Sequence, residues 1–187
     1  MGILIMKKLV VAAAFSVMAV LGTVDMAFAN RPTQIVTQER VSAQGPMSFK
    51  IFCAVNPAEC QPGGASKISL NEDVMRLLGR VNGRVNRAIR PKLDSAAMQV
   101  WRVNPSVGDC KSYVVSKRHQ LIENGLSPSA LRIAYVKTRD GLGHAVLVVK
   151  TDQGDLTLDN LTGEIKLFRE AGYRVVAMSG ADPRSWS

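Results

Sequence analysis

Cys110, His144 and Asp159 are the residues of this 187-residue chain whose types and settings could do chemistry together. Cys110 follows Gly108-Asp109 and opens a helix-like run. His144 stands in Gly143-His144-Ala145 and Asp159 in Leu158-Asp159-Asn160, each at the edge of a strand-like segment. A thiol, an imidazole and a carboxylate are a nucleophile, its base and the acid that orients the base. Singly, each has a plainer reading. A free cysteine is usually buried and inert, a histidine on a core-leaning strand is usually structural, and an aspartate at a strand end usually forms a turn. Their order and settings together are what point to catalysis.

The elements that must position them are legible around them. Residues 110–124 read as a helix, with Asp109 as N-cap, Gly125 just past the end, and Tyr113, Val114, Leu121 and Ile122 for apolar contact. Cys110 then sits in the first turn, where free N–H groups and the positive end of the helix dipole stabilise an anion. The same N–H groups could receive an oxyanion. After Ser127-Pro128 the period changes to two. Strands are expected over about 131–138, 144–150 and 156–159, joined by Asp140-Gly141-Leu142-Gly143 and a turn around Gly154, which makes a β-meander. His144, Val146 and Val148 share one face of the middle strand. Tyr173 to Met178 reads as a last strand, and the tail from Gly180 is polar.

Upstream, Asn30 to Pro46 reads as a loose arm or edge segment, Met47 to Val55 as a short strand, and Gln61-Pro62-Gly63-Gly64 as a turn. A helix starts near Ser69, capped by Ser69 or Asn71, with Glu72 and Asp73 in its first turn. Val74, Leu77, Leu78, Val81, Val85 and Ile89 form its apolar stripe, Arg76, Arg80, Arg84, Arg87 and Arg90 cover much of the rest, and Pro91 ends it. A short apolar patch, Met98 to Val103, carries Trp101, which reads as core.

The N-terminus reads as a secretory signal. Lys7-Lys8 precedes an apolar run from Leu9 to Leu21, and Ala27-Phe28-Ala29 is a small-x-small cleavage site. The run is too short for a confident membrane span. Cleavage after Ala29 would leave residues 30–187 as one domain with chain enough for a core. The removed segment holds two lysines and Asp25, so the net charge goes from +9 to +8. No nucleic-acid motif accompanies that charge, and the arginines of the first helix read as a solvated basic face. No membrane span is expected after cleavage, and the location implied is periplasmic or secreted. Three cysteines allow three single pairings. In an oxidising compartment the close pair Cys53 and Cys60 is the natural bridge, contributing about 2–3 kcal/mol by chain entropy. Cys110 is then the odd thiol.

The ordered set of motifs resembles the bacterial transglutaminase-like cysteine proteinases. It comprises Phe52-Cys53 to Cys60, Trp101 with Pro105, Gly108-Asp109-Cys110, Lys117-Arg118, Leu121 with Gly125, Leu131-Arg132, Gly143-His144-Ala145-Val146-Leu147 and Leu158-Asp159-Asn160. The resemblance implies an α+β, papain-like fold with N-terminal helices packed on the antiparallel meander. It implies Cys110 as nucleophile, His144 as base and acid, and Asp159 as orienter, in an exported thiol hydrolase, an endopeptidase acting on a periplasmic or surface protein. Alternatives are an acyl transfer to an amine and a non-catalytic binding or scaffold protein that keeps the fold. Some exported relatives are calcium-dependent, with acids after the cysteine. Here Lys111 and Ser112 stand there, leaving Asp109 as a weak calcium candidate, so no cofactor is expected. A protein or peptide substrate is the implied partner, and no regulatory partner is legible.

Overall fold

The computed structural model describes residues 45–95 and 99–187. The expected signal peptide, its cleavage site, nearly all of the arm and Met98 lie outside these. Among the described residues, no helix is long and apolar enough to cross a membrane.

The first element departs from its expectation. Met47–Val55 is a helix, α1, with Pro46 at its N-cap. Alternate residues of this stretch are apolar, but Phe49, Phe52 and Cys53 are the ones buried, and their spacing is that of a helix face. Met47, Ile51 and Val55 face solvent. A nine-residue apolar stretch fits both periods, and packing chooses. Phe49 meets Trp101 at 4.9 Å and Trp186 at 5.4 Å between ring centroids, and Trp101 meets Tyr135 at 5.9 Å. This aromatic cluster, with Trp101 in the core as expected, joins α1 to the sheet and draws the C-terminal tail inward. The polar tail therefore folds back, and Trp186 is buried. Cys53 and Cys60 are bridged, with Cα atoms 5.5 Å apart, and Cys110 is free.

Helix α2 spans Glu72–Ala88, and the side chain of Asn71, not Ser69, accepts from the Val74 N–H at its start. Leu78, Val81, Val85 and Ile89 are buried as the stripe requires, while Val74 and Leu77 are half-buried. The arginines are exposed. The helix stops before Arg90, which with Pro91 forms β1 (Arg90–Pro91). Proline disfavours a helical residue ahead of it, and β1 instead pairs in parallel with β2 (Val107–Gly108). That short ladder fastens the end of α2 to the entrance of α3 (Cys110–Glu123).

The sheet contains β3 (Leu131–Lys137), β4 (Gly143–Val149), β5 (Leu156–Leu158), β6 (Lys166–Leu167) and β7 (Arg174–Met178), in the antiparallel order β6-β5-β4-β3-β7. The β3-β4-β5 meander is as expected. Strand β6 had no sequence signal, and the last strand crosses to the far edge beside β3. Strand β4 is central and buried on both faces. Ala145, Leu147 and Val149 join the main core, while Val146 and Val148 pack with Ala134 and Val136 in a second cluster with Tyr173 and Met178.

Helix α3 packs on β4 and against α2. It is buried on nearly every side, so Lys111, Ser112, Ser116, Lys117 and Arg118 are inside as well as Tyr113, Val114 and Leu121. Two of those polar groups are well partnered: the Ser116 hydroxyl accepts from Asn104 N–H at 2.7 Å, and Arg118 donates to the carbonyls of Glu59, Pro128 and Leu131. Arg118 thus ties the disulfide loop and the start of β3 to the middle of the helix.

Candidate active site

Cys110 is the first residue of α3. Asp109 is extended and caps the helix, its Oδ1 accepting the Lys111 N–H at 3.1 Å. Gly108 is required by packing: a Cβ there would sit 2.6 Å from Ser112 Cβ. The helix start can therefore press against β2 only if residue 108 has no side chain. The carbonyl of Asp109 takes the Ser112 N–H at 3.0 Å, so two of the first-turn donors are already used.

His144 is the second residue of β4, and Asp159 follows the last residue of β5. The antiparallel register Leu147 to Leu158 brings the two strands together so that His144 Nε2 and Asp159 Oδ1 lie 2.8 Å apart. The Cys110 side chain stands close enough to His144 to act on its imidazole. With Nε2 engaged by Asp159, Nδ1 is the nitrogen left to face the thiol. All three expected residues are brought together, His144 and Asp159 by a hydrogen bond and Cys110 beside the imidazole. All three are also buried, Cys110 with no exposed surface, His144 with 1 % and Asp159 with 2 %.

Electrostatics follows from these contacts. Burial opposes an imidazolium at His144, but the Asp159 hydrogen bond and the Cys110 side chain outweigh it and raise its pKa to about 9. Burial would likewise raise Asp159, yet hydrogen bonds from His144, Tyr173 and the Leu161 N–H hold it at about 2. Asp159 is thus a fixed anion, and His144 carries a proton at neutral pH. The turn role of Asp159 is present too, since its Oδ1 accepts from Leu161 N–H at 3.0 Å.

Three participants were not assigned to the site from the sequence. Tyr173 donates its hydroxyl to Asp159 Oδ2, and its ring lies 5.8 Å from that of His144. Asn86 on α2 donates to the Asp159 carbonyl at 2.8 Å. Lys117 is buried beneath the site, and burial lowers its pKa to about 7 against the attraction of Asp159. Lys117 did stand in the Lys117-Arg118 motif of the family resemblance, and its spacing of two helical turns from Cys110 points to the same face.

Comparison with known proteins adds the family. The family of bacterial transglutaminase-like cysteine proteinases matches residues 39–187. Comparison with curated protein sequences returned no match. Among solved structures, Legionella pneumophila LapG in its EGTA-treated form is similar at a TM-score of 0.51 and 23% identity, over 56% of this chain and 62% of that one. The calcium-bound form is similar at 0.52 and 21% identity, over 72% and 76%. The alignment to the EGTA-treated form spans less than two thirds of LapG, and at this identity the likeness is one of fold. The helices and antiparallel sheet, the LapG-like fold and the match over most of the length agree: the chain belongs to the bacterial transglutaminase-like cysteine proteinases, a family of cysteine peptidases.

Proposed function

We propose that this protein is an exported endopeptidase in which Cys110 is the nucleophile, His144 the general base and acid, and Asp159 the residue that holds the imidazole. The observation that carries the reading is the chain Cys110–His144–Asp159, with its 2.8 Å imidazole–carboxylate bond. His144 already holds the proton taken from the thiol, as an imidazolium beside the thiolate, and Sγ attacks a peptide carbonyl carbon. The tetrahedral oxyanion turns toward the helix start, where the Cys110 N–H is the first-turn donor to offer. The imidazolium then protonates the leaving amine, and the C–N bond breaks to leave a thioester. His144 next deprotonates a water that attacks the thioester, releasing the acid and restoring the thiol. An amine in place of that water would give acyl transfer instead. The substrate is a protein segment that can enter as an extended chain, and the N-terminal signal puts the encounter outside the cytoplasm.

Calcium has no place in this mechanism. LapG has a calcium-bound structure. Beside Cys110 in this chain, the side-chain oxygens of Asp109 and Gln99 are held by the Lys111 ammonium, and Asp94 lies beside it. A hard divalent cation seeks six to eight oxygens, and a buried lysine among so few does not fit it.

A non-catalytic scaffold is favoured by one observation, the complete burial of Cys110. Iodoacetamide alkylation across pH, read by peptide mass spectrometry, separates the two. The catalytic reading expects labelling of Cys110 that persists well below pH 8 and weakens in His144→Ala. A Cys110 that stays unlabelled in the folded protein, or labels as an ordinary thiol, sinks it.

A further inference from the structure

Lys111 follows Cys110 directly and has no solvent-accessible surface. Its Nζ donates to Asp109 Oδ2 and, at 2.9 Å, to Gln99 Oε1, with Asp94 Oδ2 3.8 Å away. Asp109 is 2 % exposed, and the Asp94 side chain is 13 % exposed. Asp94 also accepts from the Val100 N–H at 2.8 Å and lies 3.4 Å from the Arg102 guanidinium. Oxygens of Asp94, Gln99 and the entrance of α3 therefore converge on one point. Two sheltered carboxylates facing the same spot repel, and each resists ionising unless a cation stands between them. Burial and the neighbouring Asp94 push the Asp109 pKa up while Lys111 pulls it down, the balance of a carboxylate that leans on this one cation.

We propose that the Lys111 ammonium is a built-in cation, standing where a divalent ion would otherwise be needed to hold Asp94 and Gln99 against the start of α3. A bound ion is lost when its free concentration falls, by mass action. A tethered ammonium is always present. The segment that carries Trp101, and the helix turn that carries Cys110, are thereby organised independently of calcium. The inference concerns this cation and stands whether or not Cys110 is a nucleophile.

The test is thermal unfolding and calorimetric titration of the purified protein with calcium chloride and with EGTA, alongside Lys111→Met and Lys111→Asp. The wild type is expected to have one melting temperature in EGTA and in millimolar calcium, with no saturable heat. Lys111→Met, which keeps the stem and removes the charge, should melt about 5–10 °C lower. Lys111→Asp should be weakest in EGTA and recover with calcium. Saturable calcium binding by the wild type overturns the proposal, as does a Lys111→Met protein as stable as the wild type. A folded Lys111→Asp protein indifferent to calcium overturns the claim that the ammonium stands in a divalent position. If Lys111→Asp does not fold, the other two measurements decide.

Discussion

Asp109 and Asp159 flank the same thiol and are equally buried, at 2 % exposure each, yet they are driven in opposite directions. Asp159 is held at about 2, because His144, Tyr173 and the Leu161 N–H together overcome burial. Asp109 is raised, because burial and the neighbouring Asp94 outweigh Lys111. Burial alone therefore says nothing about a carboxylate's charge; the number and kind of its donors do. One side of Cys110 is a fixed anion suited to holding an imidazolium, and the other is a cap and cross-link.

Substitutions at the two carboxylates sharpen that contrast. Asp159→Asn removes the anion that supports the His144 proton, so Cys110 alkylation at pH 6 should fall by about 10-fold or more as the thiol reverts to ordinary behaviour. Asp109→Asn keeps a capping oxygen and leaves Lys111 short of a counter-charge. It should cost about 3–5 kcal/mol in denaturant unfolding while the shape of the alkylation profile against pH is kept. If Asp109→Asn abolishes the low-pH labelling instead, the division of labour between the two carboxylates is wrong.

A pH series of stability tests the fixed-anion side more finely. The His144 pKa is raised to about 9 from 6.5, so its contribution is fully present below about pH 6.5 and is lost as pH rises through 9. Wild-type stability measured against His144→Ala should decline across that window. Asp159, lowered to about 2 from 3.8, contributes above about pH 3.8 and is lost as pH falls toward 2. Asp109 has the opposite sign: its raised pKa disfavours the folded state at higher pH and is relieved by acid. The smallest effect is expected of Tyr173→Phe. It removes one of the donors to Asp159 and should cost about 1 kcal/mol, with a small upward shift of the Asp159 carboxyl visible by NMR titration.

Much of the site was legible because its signals are local. Asp109 before Cys110, Gly125 after Glu123 and the change to period two after Pro128 mark where α3 ends and the sheet begins, and the structure places those boundaries within a residue or two. The juxtaposition of His144 and Asp159 follows from a short meander in which neighbouring strands must pair. The misreading of Met47–Val55 has an equally local cause. Nine residues with apolar side chains at both spacings do not distinguish strand from helix, and the aromatic partners Trp101 and Trp186 lie far along the chain.

By itself, the sequence determined the capped helix that presents a cysteine and the β3-β4-β5 meander that follows it, since caps, turns and periodicity act over three or four residues. Only the tertiary structure decided that α3 would be buried on its polar side as well. It also decided that Tyr173 would hold Asp159 across 14 positions, and that Lys111 would meet the Asp109 carboxylate and the amide oxygen of Gln99, 12 positions upstream. The reason is physical: a charged side chain can enter the interior only where counter-charges and hydrogen-bond partners meet it there, and those partners come from segments that become neighbours only when the chain has folded.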